Sequence, residues 1–248
     1  MHEALRRGCV ALRRSSARSR RLLLFAFGGS TVAGYAPLAR ALPPDLDVWG
    51  VESAGRGTRL SEPPWSNVEA AVEGLLPVVR ALCDGPPIAI FGHSMGAILG
   101  YEIARRLEAQ GARFAPVVLS GQRPPGARPL RPPISGLPRE QFLQAIRALG
   151  GAAPALFDHL ELLELILPAL RADTALTESW SPPTGFLVSP LIVYGGDQDP
   201  TVPVRDLDGW AAHTTAGFRM RVFAGNHFFF QGALAAFAAT LASDLAVP

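Results

Sequence analysis

The sequence predicts an α/β fold, a mostly parallel sheet wrapped by helices on both faces, and three observations carry that prediction. Short apolar runs of strand length alternate with segments whose apolar residues recur at helical spacing. At 248 residues the chain is long enough for one large domain with a well-buried core. One strand-like run, 87–91, passes through Gly92-His93-Ser94-Met95-Gly96 directly into a helical pattern, the strand, sharp turn and helix on which a G-x-S-x-G serine is exposed.

Taken in order, residues 1–21 hold seven arginines and one glutamate. This Arg- and Ser-rich, acid-poor stretch is expected to be a disordered leader, with the folded domain running over 22–248. Leu22-Leu23-Leu24-Phe25-Ala26-Phe27 reads as a buried strand ending at Gly28-Gly29-Ser30, followed by a helix over 35–41 and a strand over 47–51. A loop over 52–59 leads to a helix over 67–83, where Val68, Val72, Leu75, Leu76, Val79 and Leu82 recur at helical spacing. After the 87–91 strand and its helix come strands over 115–120, 190–194 and 219–223, with helices over 204–213 and 230–245.

Between the fourth and fifth predicted strands lie about 70 residues, where a crossover needs far fewer. The insertion opens with a Pro/Arg stretch, 123–133, and holds helical patterns over 138–149 and 155–170. The second is apolar nearly all round, with Leu156, Phe157, Leu160, Leu162, Leu163, Leu165, Ile166 and Leu167, so it must cover something. We read 124–185 as a helical lid over the catalytic end of the sheet.

Composition closes off other classes. The 23 basic residues are all arginine, and outside the leader they are scattered over a mildly acidic body, so no basic face for nucleic acid is expected. Cys9 and Cys83 are too few and too far apart for a disulfide framework or a metal spacing. No apolar run has membrane-spanning length and no cleavage site follows Phe27, so a cytoplasmic monomer away from the membrane is the expectation.

Ser94 is the candidate nucleophile. On so tight a turn, a Cβ at Gly92 or Gly96 would collide with the neighbouring strand or helix. The helix start aims its dipole and the Met95 amide at charge developing beside the serine. Serine needs a base that a third group orients. Of five histidines, only His227 sits in a loop directly after a strand at the end where open sheets bind ligands. His2 is in the leader, His93 points elsewhere on the turn, His159 is in the lid and His213 ends a helix. Asp197 and Asp199 follow the fifth predicted strand. Asp199 is preferred as the acid because Pro200 fixes the turn that presents it, and Asp197 is read as a turn-former. The order Ser, Asp, His is one of the known triad orders. The second oxyanion amide should come from the loop after the first predicted strand, with Phe27 N–H the candidate beside Gly28-Gly29. No phosphate-binding glycine loop and no His/Cys cluster of metal spacing occurs, so no cofactor or metal is expected.

These residues resemble the stand-alone type II thioesterases of polyketide and nonribosomal peptide synthesis, which are α/β-hydrolases. The resemblance covers residue 22 to the end. It rests on Gly28-Gly29-Ser30, Gly55-Arg56-Gly57-Thr58-Arg59, the Ser94 elbow, Leu167-Pro168-Ala169-Leu170-Arg171-Ala172-Asp173, Gly196-Asp197-Gln198-Asp199-Pro200 and Gly225-Asn226-His227-Phe228-Phe229. Where the family has Pro and Ala before its Gly-Gly-Ser, this chain has Phe25 and Phe27, and Ala54 and Asn226 replace a Pro and a Gly. The resemblance implies Ser94, Asp199 and His227 as the triad, with Phe27 and Met95 as oxyanion amides. It implies hydrolysis of acyl groups from the phosphopantetheine thiol of an acyl or peptidyl carrier protein, editing stalled or misprimed synthases. A general carboxylesterase or lipase is the alternative enzyme, and a non-catalytic acyl-binding protein would require a broken triad.

Overall fold

The computed structural model describes residues 8–15, 20–83, 85, 88–149, 159–181 and 183–246. Its strands are β1 Cys9–Arg13, β2 Arg20–Phe25, β3 Leu46–Val51, β4 Ile88–His93, β5 Phe114–Ser120, β6 Leu191–Gly196 and β7 Phe218–Phe223. They form one sheet in the order β1-β3-β2-β4-β5-β6-β7, parallel throughout except where β1 runs against β3. The helices are α1 Ala36–Ala41, α2 Val68–Arg80, α3 Met95–Glu108, α4 Arg139–Ala148, α5 Leu160–Glu178, α6 Val204–Leu207, α7 Phe229–Gly232 and α8 Leu234–Leu245. The expected α/β sheet, covered on both faces, is therefore present.

Central strands carry apolar residues on both faces because both faces are covered. In β2, Leu22 and Leu24 pack towards α1 and α8, while Leu23 and Phe25 pack towards α2 and α3. All four are essentially inaccessible, and each such burial contributes about 1.5–3 kcal/mol. The amphipathic pattern of α2 begins at Asn67, whose side chain accepts from Ala70 N–H. The lid has a small core of its own, built from Ile134, Phe142, Leu143, Ile146, Leu163 and Leu170.

The expectation of a disordered leader over 1–21 is corrected for its described part. Cys9–Arg13 is an edge strand on β3, with Cys9 opposite Val51 and Ala11 opposite Trp49. An edge strand needs only one paired side and one buried face, so this short segment suffices, and the arginines in and around it hid it. They act as structural partners: Arg13 donates to the carbonyls of Ala39 at 2.6 Å and Leu42 at 2.7 Å, capping the end of α1. Arg14 stacks over the Trp49 ring at 4.7 Å, and Arg20 pairs with Asp45 at 2.9 Å. Residues 1–7 and 16–19 lie outside the described residues.

Three predicted helices also differ. The segment over 204–213 is α6 followed by a 3-10 turn, and that over 230–245 is interrupted at Ala233 between α7 and α8. The second lid helix, expected over 155–170, runs on to Glu178 because apolar Leu170 and Leu176 continue its buried stripe. Its expected start at 155–158, with Leu156 and Phe157, lies outside the described residues.

One buried carboxylate ties α8 to the sheet. Asp244 accepts from Tyr194 Oη at 2.6 Å, Arg219 Nη1 at 3.1 Å, and Arg221 Nε and Nη2 at 2.5 Å each. Burial alone would raise its carboxyl, but the hydrogen bonds from Arg221 and Tyr194 more than offset that and hold it below the ordinary carboxylate value. A depressed folded value gives stability that is complete above the unfolded value of about 3.9 and is lost as pH falls through the folded one. Asp244→Ala is expected to cost about 1–3 kcal/mol at pH 7, since it leaves the Tyr194 hydroxyl unpaired in the core. Urea unfolding at pH 7 and pH 3 checks this: the gap between wild type and variant should shrink at the lower pH, and a gap that widened would contradict the assignment.

Candidate active site

Ser94 occupies the turn between β4 and α3, with φ 52° and ψ −119°, and it is the one non-glycine residue with positive φ among the described residues. Such strain persists only where the surroundings over-determine it. Here they do: a Cβ on Gly92 would lie 2.0 Å from Gly96 O, and one on Gly96 would lie 2.2 Å from Phe25 O. The helix meets the turn on one side and strand β2 meets the helix on the other, as expected from the sequence. Ser94 N–H donates to Ser120 O at 2.8 Å, which anchors the turn to β5.

Asp199 and His227 come from the loops after β6 and β7. Those loops are joined by Asp197 N–H to Phe223 O at 2.9 Å, Gln198 N–H to Gly225 O at 2.9 Å and Gly225 N–H to the Asp197 carboxylate at 2.8 Å. Asp197 is exposed and serves as the turn-former it was expected to be. Asp199 Oδ2 accepts from His227 Nδ1 at 2.6 Å. Its Oδ1 accepts from Thr201 N–H at 2.8 Å, Thr201 Oγ1 at 2.7 Å and Val202 N–H at 3.2 Å. Burial would raise the Asp199 carboxyl, but the bonds from His227 and Thr201 outweigh it and keep the group below the usual carboxylate range. A carboxylate on Nδ1–H leaves Nε2 as the ring's base. Ser94 and His227 line one cavity. No hydrogen bond joins the two side chains among the described contacts, a common state before substrate tightens such a site.

Phe27 and Met95 line the same cavity. Among the described residues neither backbone N–H has a protein acceptor. Phe27 begins a turn in which Ser30 N–H donates to Phe27 O at 3.1 Å, and Gly29 supplies the required positive φ of 73°. The bulk that this chain places at Phe27 packs edge-on against Tyr35, His93, Phe228 and Phe230.

The cavity has a volume of about 330 Å³. Its far wall comes from the insertion, with apolar Ile146, Leu149 and Leu170 beside Asp173, Thr174 and Thr177, and its rim comes from the Pro/Arg stretch including Leu130 and Arg131. The inserted helices thus face Ser94. A buried ion pair joins them to the sheet: Arg56 Nη1 and Nη2 donate to Asp173 Oδ2 at 2.7 Å and Oδ1 at 2.5 Å.

Three features escaped the sequence reading. Thr201 braces the acid, and its position two residues after Asp199 was the available signal. His93 does not turn away from the site: its ring lies 4.7 Å from that of His227, centroid to centroid, and its Nδ1 is 2.9 Å from Ser120 Oγ. Burial, with the neighbouring His227, pushes its imidazole far below the ordinary histidine value, so it stays neutral. The third is the Arg56–Asp173 pair. Of the other histidines, His159 starts α5 at the surface, His213 reaches Tyr101 Oη at 3.5 Å, and His2 lies outside the described residues. Among the described residues no cluster of His, Cys, Asp and Glu could hold a metal ion, and no helix is long and apolar enough to cross a membrane.

A family model described as a thioesterase domain matches residues 20–245. The "Probable cadicidin biosynthesis thioesterase" of Streptomyces griseus is 34% identical over 214 residues, covering 84% of this chain and 58% of that protein. The chain therefore spans little more than half the length of that relative. "Thioesterase PikA5" of Streptomyces venezuelae is 32% identical over 211 residues, covering 84% of this chain and 75% of the relative. Among solved structures, the type II thioesterase BorB from the borrelidin biosynthetic cluster superposes with a TM-score of 0.88 at 31% identity, covering 96% of this chain and 97% of the other.

Proposed function

Because this chain belongs to the thioesterase family, we propose that it is an editing hydrolase that removes acyl groups from the phosphopantetheine thiol of an acyl or peptidyl carrier protein, clearing stalled or misprimed polyketide or nonribosomal peptide synthases. The observation that supports this best is the meeting of Ser94 and His227, with Asp199 behind the imidazole, in one cavity walled by the inserted helices.

In this reading His227 Nε2 takes the Ser94 proton as Oγ attacks the thioester carbonyl. The carbonyl oxygen becomes an anion held by the free amides of Phe27 and Met95, and the α3 dipole adds to that field. Collapse of the tetrahedral intermediate breaks the C–S bond, and His227 returns its proton to the departing thiol. Water then attacks the acyl-serine with His227 again as base, releasing the acid and restoring Ser94. Asp199 keeps the imidazole in the productive tautomer and stabilises its cation. The thin phosphopantetheine arm lets the carrier remain outside while the thioester reaches the serine between the sheet and the inserted helices. The enzyme acts as a cytoplasmic monomer, and the reduced thiols of Cys9 and Cys83 fit a reducing compartment.

If the carrier is recognised, a given acyl group should be hydrolysed with kcat/KM at least about tenfold higher on its carrier than on N-acetylcysteamine, a gain of about 1.4 kcal/mol. Neighbouring acyl lengths should differ by no more than about 1–3 kcal/mol per methylene. Steady-state kinetics on matched acyl groups presented both ways provides the check. Equal efficiency would favour a general esterase acting on small esters.

A further inference from the structure

The turn that carries the Phe27 amide is held from outside the sheet. Gly29 N–H donates to Asp173 Oδ2 at 2.7 Å, and Arg56 Nη1, besides its bond to the same carboxylate, lies 3.3 Å from Ser30 O. The turn is thus gripped at one N–H and one C=O by a single ion pair. Asp173 belongs to the inserted helix α5 and Arg56 to the loop after β3. Both side chains are buried, Arg56 at 6% and Asp173 at 3% exposure. One helical turn before Asp173, Leu170 closes the other side, where a Cβ on Gly29 would come within 2.9 Å of its Cδ1.

A buried ion pair is weak ground for stability, since desolvation offsets much of its attraction and apolar replacement is often neutral. The reach of this pair to both polar groups of the turn points to another use. We propose that Arg56 and Asp173 are positioning residues that aim the Phe27 amide at the substrate oxygen, so that α5 forms part of the frame of the oxyanion hole. This rests on the reading of Phe27 and Met95 as its donors. Asp173 fixes the Gly28–Gly29 peptide through its hydrogen bond to Gly29 N–H. Arg56 holds the carboxylate in place and tethers the far end of the turn. Neither touches the reacting atoms. Their effect belongs to the transition state, in which the oxygen carries its charge, and is small in the ground state.

The test compares Asp173→Asn, Arg56→Lys and the double variant Arg56→Met/Asp173→Leu with wild type. For each, kcat and KM are measured on an acyl-carrier substrate, together with the rate of phosphonylation of Ser94 by a fluorophosphonate and the melting temperature. Asp173→Asn is expected to lower kcat by about 10- to 100-fold, the scale of a slightly misplaced reacting geometry, with KM changed less than about twofold. Phosphonylation, which builds a charged oxygen in the same hole, should slow in parallel. The double variant removes both buried charges and should melt near wild type while remaining slow. If it recovers wild-type kcat and phosphonylation along with its melting temperature, the pair is structural and the proposal fails. A loss confined to KM would also overturn it. Should wild type leave acyl-carriers untouched yet be phosphonylated at Ser94, the carrier reading falls, while the phosphonylation comparison still decides the role of this pair.

Discussion

Ser94→Ala is expected to lower turnover of every acyl substrate by about 10⁶-fold, the scale of losing a serine nucleophile from an intact triad. The variant removes one hydroxyl from a half-buried turn, and that hydroxyl has no hydrogen-bond partner among the described residues. Alanine tolerates φ 52° no worse than serine does, so β4, α3 and the glycine contacts that force the turn should persist. Circular dichroism and melting should match wild type. Intact-mass measurement should find fluorophosphonate adduct on the wild-type protein and none on the variant. A variant that still takes up the probe, or still clears acyl groups at a tenth of the normal rate, would move the nucleophile elsewhere.

Asp199→Asn should lower kcat by about 10⁴-fold through loss of the correct imidazole tautomer and of the charge that stabilises the cation. An asparagine here can turn its amide N–H towards Nδ1, which favours the tautomer with its proton on Nε2, the wrong one for accepting from Ser94. Asp197→Asn should stay within about twofold of wild type, because an amide oxygen can replace the carboxylate as acceptor for Gly225 N–H at the exposed turn. Comparable losses for the two variants in single-turnover kinetics would mean that the acid had been assigned to the wrong residue.

The parts of this molecule that were legible in the sequence are those set by local pattern. The fully buried run at β2 and the strand-turn-helix around Ser94 each need only neighbouring residues to be recognised. His227 and Asp199 were reachable because each directly follows a strand at the same end of the sheet. Strand β1 was not legible, because its short apolar run, Cys9 to Leu12, is set in a stretch whose arginines dominate the composition. Nor was the Arg56–Asp173 pair, whose partners lie 117 residues apart; the resemblance singled out both phrases without saying that they meet. The contact of His93 with His227 likewise arises only when β4 and the loop after β7 are brought together by the sheet.

The close contacts around three glycines divide the molecule by how freely it can change over generations. Gly92 and Gly96 leave no room for a Cβ, and one on Gly196 would lie 2.5 Å from both Gly225 O and Asn226 O. Because the obstructing atoms are backbone, no single compensating side-chain change relieves them. Ile146, Leu149 and Leu170, by contrast, contribute ordinary side chains to the cavity wall, where one aliphatic group can replace another at modest cost. On the proposed function, a lineage carrying this chain can therefore drift in the acyl groups it accepts, one substitution at a time, while the turns that would break the bond stay fixed.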